Sequence, residues 1–487
     1  MSTPASAGAR PARLEDLRPA LQRIGQAHVL AFADRLRDAE RAGLAGDLAT
    51  INLDALPGLI ERFCEPAPAD GLGELRPPTV CCLRGTPGDH AIDAEEARKA
   101  GLELVRGGRV AALTVAGGQG TRLGFDGPKG TLPIGPVSRR TLFEVFADQI
   151  AAASRWAGTP IPWLIMTSPQ NHEQTIAFFG ERDWLGLDRT QIRFFRQGVM
   201  PCFDPATGRL LLAEPHRLAT NPDGHGGVVR ALVESGELDR LERGGVEHIS
   251  YFQVDNPLVT PIDPAFLGAH AAAGGARSSG QISSKMVPKA APEEKVGLFA
   301  RVAGRTRVVE YSDLPEEVAR ERTPDGRLRF EAGSVAIHAA SVRFLREIHD
   351  AGERALPFHR AFKKVPYVDV ETGNRVEPES PNAVKLERFV FDAVPVADES
   401  LVLRCERERE FAPVKNAQGV DSVATGAALQ IECAARWLEE RGHAVPRGDD
   451  GAPACTLELS GGAAWAHAAG ETHEPEGTPA AGSRVLI

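Results

Sequence analysis

The chain has 487 residues, 42% of them hydrophobic and 25% charged, with a formal net charge of −10. That length exceeds one ordinary hydrophobic core and implies two or three domains of a globular protein. The acidic balance argues against a general binder of nucleic acid or of a membrane surface, although cations gathered in one cleft could still hold a polyanion.

No run reaches the ~20 apolar residues of a membrane-spanning helix, and the first residues lack the apolar core of a signal peptide. Cys64, Cys81, Cys82, Cys202, Cys405, Cys433 and Cys455 form no CxxC pair. An odd number of cysteines fits a reducing compartment, so a cytoplasmic location is expected.

Residues 1–12, rich in Ala, Gly and Pro, are expected to be disordered. Apolar residues at Leu14, Leu17, Leu21, Ile24, Ala27, Val29, Phe32 and Leu36 follow a helical spacing, and Asp47 to Phe63 continues it. Gln26 and His28 sit inside this pattern and read as packing residues rather than catalytic ones. Residues 65–90 are punctuated by Pro and Gly and read as a linker. A short amphipathic helix is expected from Asp93 to Leu104.

Val110 to Val115 is a short apolar run with the β-branched content of a buried strand. It breaks into Ala116-Gly117-Gly118-Gln119-Gly120, after which Thr121, Arg122 and Lys129 arrive. Glycines let a backbone approach a ligand closely, and successive N–H groups make an anion-binding concavity. Arg122 and Lys129 add positive charge where phosphates would lie. The P-loop signature is missing, because Lys129 is followed by Gly130 and Thr131. The dinucleotide fingerprint is missing too: Gly118, Gly120 and Gly124 are spaced one residue too long. The stretch therefore reads as a nucleoside triphosphate loop.

From 110 to about 390, apolar strands alternate with helical segments, which implies a mostly parallel sheet covered on both faces. Trp163 to Met166, Ile192 to Phe195 and His248 to Gln253 are strands; His172 to Phe179 and Val228 to Ser235 are helices. Ligands of such sheets bind at the carboxyl ends of the strands. Asp255 stands there and can hold Mg²⁺ or Mn²⁺, or it can cap a helix. Gln197 sits in a strand-end turn, where its amide can read a base edge. Pro222 to Gly227 is a second glycine-rich loop, with Gly224 and His225 in it. Lys295 to Arg301 and Thr306 to Glu310 read as antiparallel strands. Glu406 to Glu410 alternates in charge and reads as a solvated face. Thr425 to Arg441 is a helix, and 442–487 has few aliphatics. The expected organisation is an N-terminal helical lobe at 1–100, a Rossmann-like α/β catalytic domain at 101–395 and a small C-terminal domain at 396–487.

A series of strings in order then carries a resemblance. GGQGTRLG and PKG are followed by SRRTLFEVFADQI (138–150), MTSPQNHEQTIAFF (166–179), FFRQGVMPCFD (194–204), NPDGHGG (221–227), QVDNPL (253–258), VEYSDL (309–314), PNAVKLERFVFD (381–392) and FAPVKN (411–416). The chain resembles the eukaryotic-type UDP-sugar pyrophosphorylases over about residues 20 to 440, and within them the N-acetylglucosamine branch. The resemblance implies a nucleotidyltransferase sheet and transfer of UMP from UTP to a sugar 1-phosphate, giving a UDP-sugar and pyrophosphate. It implies Arg122, Lys129, Lys385 and Lys415 on the phosphates, and Gly117, Gly118, Gly120, Thr121, Gln197 and Gly224 on the nucleotide. Asp255 would hold the metal, and Asn256, Gly297, Glu310, Ser334 and His225 would face the sugar. Two positions depart from the N-acetylglucosamine pattern: His225 and Ser334 stand where those enzymes usually carry Asn. Glucose 1-phosphate, or several sugars, therefore remains an alternative substrate, and a non-catalytic nucleotide-sugar sensor a more remote alternative.

Overall fold

Gly101 and Gly268 explain one of the closest contacts in the chain. A Cβ on Gly101 would lie 1.8 Å from the carbonyl oxygen of Pro264, and one on Gly268 would lie 1.8 Å from that of Ala97. The helices Ala94–Arg106 and Pro264–His270 can therefore touch backbone to backbone only because both crossing points lack a side chain. Both helices have well-made starts. Asp93 accepts from the amides of Glu95 and Glu96, and Asp263 accepts from that of Phe266.

The computed structural model describes residues 13–64, 73–83, 89–473 and 479–487. The tail expected to be disordered at 1–12 lies outside these residues, as do 65–72 and 84–88 of the expected linker.

The chain forms two compact units. The larger comprises Leu72–Gln197, Val228–Ala355 and Val390–Ile487. It is built on an 11-stranded sheet of β1 (Cys81–Leu83), β2 (His90–Ile92), β3 (Val110–Val115), β4 (Trp163–Thr167), β5 (Ile192–Arg196), β6 (His248–Gln253), β7 (Ile282–Pro288), β8 (Leu298–Val302), β9 (Arg305–Val309), β10 (Ala332–Ser341) and β11 (Leu401–Arg404). The order is β2-β1-β11-β7-β10-β6-β3-β4-β5, with β8 joined to β9 and β10. Along that path only β10 runs antiparallel to its neighbours. The mostly parallel sheet is as expected.

Side chains of a strand alternate between faces, and helices cover both faces here. Val110, Ala112 and Phe252 pack into one core with Phe143, Phe146 and Phe266 of the covering helices. Leu113, Ile249 and Tyr251 gather instead with Val228, Leu232 and Leu345 of other helices.

The smaller unit comprises Met1–Gly71, Gly198–Gly227 and Leu356–Phe389. Leu14, Leu21, Val29 and Leu44 of the N-terminal segments share a core with Phe203, Leu218, Val384 and Leu386. The expected division at 1–100, 101–395 and 396–487 is thus not the one formed. Short helices without a partner sheet need apolar surface from elsewhere, and 198–227 and 356–389 supply it. At the other end, β11 lies between β1 and β7, and Gly461 packs against Asp148 and Gln149, which places 396–487 within the larger unit.

The helix expected to run from Leu14 to Leu36 ends at Arg23 and gives way to short 3-10 turns at Ala27–Leu30 and Ala33–Arg35. Gln26 and His28 are packing residues, as read. Gln26 Nε2 donates to Gly208 O at 2.9 Å, its Oε1 accepts from Leu210 N at 2.9 Å, and His28 Nε2 lies 2.8 Å from Leu210 O.

Candidate active site

The glycine stretch after β3 is held from two sides. Lys129 N donates to Gly118 O at 3.0 Å, and Gly120 N donates to Gly127 O at 2.9 Å, which folds the loop back on itself. Asn171, fully buried, donates from Nδ2 to Ala116 O at 2.9 Å and to Gly118 O at 3.3 Å. The sequence reading passes over Asn171, although an Asn opening the helix His172–Glu181 in the SPQN run was there to be weighed.

Gln197 is buried beside this loop, its backbone N–H donating to Thr167 O at 2.7 Å. Its Oε1 stands 2.9 Å from the point a Cβ on Gly117 would occupy. Any larger residue at 117 would push the Gln197 amide away. Gly120 lies against Phe125 in the same way, with 2.7 Å to a ring carbon. Thr121 and Arg122 project into solvent from the short turn Thr121–Leu123.

β6 runs parallel to β3, and Asp255 follows its end. Lys129 Nζ lies 3.3 Å from Asp255 Oδ2, both side chains being mostly buried. The helix-capping alternative for Asp255 does not hold, because Asp263 caps the helix that follows. Asp255 O accepts from Val414 N at 2.8 Å. Asn256 Nδ2 donates to Glu410 O at 2.6 Å, and its Oδ1 accepts from Ala412 N at 2.9 Å. These bonds fasten 410–415 to the end of β6 and bring Lys415 into the same neighbourhood. Lys415 Nζ is 3.9 Å from Asp421 Oδ2 and 5.6 Å from the centre of the Phe411 ring. Asn256 was expected to meet sugar hydroxyls; its side chain is instead engaged with this backbone.

Glu406 to Glu410 is not the solvated face expected. Glu410 Oε1 lies 2.6 Å from Lys285 Nζ, which also lies 2.6 Å from Asp263 Oδ2. Lys285 is 1% exposed. A buried cation needs such partners. The two carboxylates raise its pKa despite burial, so it stays charged.

Gly297, Glu310 and Ser334 come together at another corner of the sheet. Ser334 N donates to Gly297 O at 2.7 Å. Glu310 Oε1 is 3.5 Å from where a Cβ on Gly297 would lie, and Val308 Cγ1 is 2.8 Å from it.

Gly224, His225 and Lys385 belong to the smaller unit. Gly224 has φ +83°, and a Cβ there would meet Arg388 O at 2.2 Å. Both the left-handed backbone and the close approach require glycine. His225 stacks on Phe389 with ring centres 5.2 Å apart. Burial, helped by the nearby His359, pushes its pKa down to about 4, so it is neutral at ordinary pH. Lys385 lies opposite Ala361 in the antiparallel pair His359–Lys363 and Ala383–Glu387.

Among the described residues, no three His, Cys, Asp or Glu side chains gather as a metal site. Asp255 offers one carboxylate. That fits an ion such as Mg²⁺, which takes most of its ligands from phosphates and water.

The family profile described as UTP–glucose-1-phosphate uridylyltransferase matches residues 89–432. The chain is 36% identical to UDP-N-acetylhexosamine pyrophosphorylase-like protein 1 of Homo sapiens over 89% of its own length and 88% of that protein's. It is 36% identical to UDP-N-acetylglucosamine pyrophosphorylase of Saccharomyces cerevisiae over 72% of this chain and 73% of the other. Its fold is similar to that of the uridine diphosphate N-acetylglucosamine pyrophosphorylase from Trypanosoma brucei solved with an inhibitor, at a TM-score of 0.77 and 26% identity over 94% of each chain. The chain belongs to the UTP–glucose-1-phosphate uridylyltransferase family.

Proposed function

We propose that the protein is a nucleotidyltransferase that transfers UMP from UTP to N-acetylglucosamine 1-phosphate, giving UDP-N-acetylglucosamine and pyrophosphate. The observation that carries this is the 3.3 Å approach of Lys129 Nζ to Asp255 Oδ2, on loops leaving the adjacent parallel strands β3 and β6. It puts a cation and a carboxylate at the strand ends, where such sheets bind nucleotides.

In the reaction, a phosphate oxygen of the sugar 1-phosphate attacks the α-phosphorus of UTP, and the bond to the β-phosphate breaks. The protein must bring negative oxygens together and align attacker with leaving group. Cations and fixed N–H dipoles do this by positioning and by stabilising the developing charge. Lys129 and Arg122 serve the triphosphate, with Arg122 on the departing pyrophosphate. Lys415 serves the α-phosphate or the incoming sugar phosphate. Gln197 reads the uracil edge, and the amides of the 117–121 loop line the phosphates. Asp255 would hold Mg²⁺ or Mn²⁺, which when bound neutralises phosphate charge. Glu310, Gly297 and Ser334 face the sugar, and Asn256 positions the backbone that carries Lys415. Seven free cysteines support a reducing, cytoplasmic setting.

The names of the relatives favour an acetamido sugar, while His225 and Ser334 keep glucose 1-phosphate as the second reading. Pyrophosphate release from UTP with a panel of sugar 1-phosphates tests both. N-acetylglucosamine 1-phosphate is expected to give the highest kcat/KM. A higher value with glucose 1-phosphate would move the assignment to the second reading, and no release with any sugar would end both.

A further inference from the structure

A cavity of about 240 Å³ opens in the larger unit where the turn between β8 and β9 meets the segment leading into β11. Cys81 and Leu401, the first residues of β1 and β11, stand in its wall. These strands run parallel to β7. Because β10 is antiparallel to both β7 and β6, they also share the direction of β6 and β3. The cavity therefore lies at the amino ends of β1 and β11, whereas Asp255 follows the carboxyl end of β6.

The charges in its wall favour an anion. Arg277, Arg301 and Arg305 stand against Asp398 and Glu399, a balance of one positive charge. Glu399 is taken by Arg277, with 2.9 Å between Oε1 and Nε. Asp398 is exposed, so solvent and salt screen it. Arg301 and Arg305 are held by carbonyls, which leave their charge uncancelled. Arg301 Nη2 donates to Gly304 O at 2.7 Å, and Arg305 Nη1 donates to Ala397 O at 2.8 Å. A guanidinium has five N–H donors, so each keeps others for a ligand. The hairpin fixes where both arginines start. Ala303 and Gly304, between the paired Val302 and Arg305, take the left-handed angles of a tight two-residue turn, φ +49° and +79°.

Ser400 Oγ, in the same wall, is buried without a hydrogen-bond partner. A buried hydroxyl is normally paired, and a phosphate oxygen would accept from it. Thr79 and Thr306 add two more hydroxyls. The volume is about eight times the ~30 Å³ share of one water, which leaves room for a phosphate group on a small polar body. Arginine is the side chain best matched to phosphate, through paired N–H bonds to two oxygens.

We propose that this cavity is an anion site apart from the candidate active site, and that it takes the phosphate group of a small polar monoester through Arg301, Arg305 and the Ser400 hydroxyl.

The probe is glycerol 2-phosphate, titrated calorimetrically into the full chain, with glycerol as its uncharged control. Saturable binding is expected for the ester and none for glycerol. Arg301→Gln and Arg305→Gln should each weaken the ester about tenfold or more, the scale of one charge-assisted hydrogen bond. Ser400→Ala removes only an unpaired hydroxyl, so it should keep the fold and weaken the ester about two- to tenfold. Lys129→Ala should leave this binding unchanged, and inorganic phosphate should bind more weakly than the ester. No saturable binding, or unchanged affinity in the two arginine variants and in Ser400→Ala, would overturn the site. Loss of binding in Lys129→Ala would move the ester to the candidate active site and overturn it as well. Inorganic phosphate binding as tightly as the ester would overturn the monoester as the occupant. No arm reads turnover, so a chain without transferase activity that shows these losses would end the transferase reading and leave the anion site standing.

Discussion

Lys129 Nζ and Asp255 Oδ2 stand 3.3 Å apart although 126 residues separate them in the chain. Lys129 is carried by the loop after β3 and Asp255 by the end of β6, and the parallel pairing of those strands from Val110↔His248 to Val115↔Gln253 fixes the meeting. A carboxylate beside a lysine keeps the cation oriented.

Asp255→Asn removes the charge and keeps the shape. It is expected to lower kcat by about 10²–10³-fold, the scale of losing one electrostatic contact to the transition state. Thermal unfolding should stay within about 4 °C of wild type. Wild-type turnover in the folded variant would remove Asp255 from the reaction.

Gly117→Ala would place a methyl 2.9 Å from Gln197 Oε1 and 3.4 Å from Ser168 N. The Gln197 amide must turn away, so KM for UTP should rise about tenfold, as expected when buried pairing groups are lost. Gly130→Ala is the contrast, because its methyl would lie 2.1 Å from a Phe143 ring carbon. That is overpacking of a core, and a loss of about 1–3 kcal/mol in urea unfolding is expected. Equal effects of the two variants on KM would refute the distinction.

Gln26→Ala should cost stability and not catalysis. It leaves Gly208 O and Leu210 N without their partner, and a buried unsatisfied group costs about 1–3 kcal/mol. A changed KM for either substrate at unchanged stability would reverse this reading.

His270 is fully buried, with Nδ1 2.8 Å from Ser283 Oγ and His248 edge-on at 5.0 Å. Burial, and then the nearby His248, hold its pKa down to about 3, against 6.5 ordinarily. Its folded pKa is depressed, so the unfolded chain binds the proton first. The neutral ring's contribution to stability is therefore full above pH 6.5 and is lost as pH falls towards 3. The slope from this one group is at most about 1.4 kcal/mol per pH unit. Urea midpoints between pH 7.5 and 5 should fall less steeply in His270→Gln than in wild type. Parallel slopes would show that His270 takes up its proton equally in the folded and the unfolded chain.

Ser334→Asn offers an amide donor and acceptor in place of a hydroxyl, on a residue whose backbone N–H donates to Gly297 O. The ratio of kcat/KM for N-acetylglucosamine 1-phosphate over glucose 1-phosphate should rise several-fold. An unchanged ratio would take Ser334 out of sugar selection.

Much of the larger unit was legible because strand runs such as Val110–Val115 and His248–Gln253 are apolar and bounded by glycine or aspartate. Periodicity and turn chemistry are local properties. The smaller unit was not legible as a unit, because its core joins Leu21 to Phe203 and Val384, and no local pattern announces a contact at that distance. Glu406 to Glu410 misled for a related reason. Alternating charge describes a solvated face unless a buried cation waits opposite, and Lys285 lies inside an otherwise ordinary strand. The bonds of Asn256 to Glu410 O and Ala412 N were not legible either, since its sequence position fixes the strand end but not which backbone comes back to it.

UTP labelled at the α-phosphorus, incubated with N-acetylglucosamine 1-phosphate and the purified chain, tests uridylyl transfer most directly. The label is expected in UDP-N-acetylglucosamine, with one unlabelled pyrophosphate released per labelled product, and the initial rates of both should fall together by about 10²–10³-fold in Asp255→Asn. Label recovered as free UMP, or pyrophosphate released without a labelled sugar nucleotide, would contradict the account.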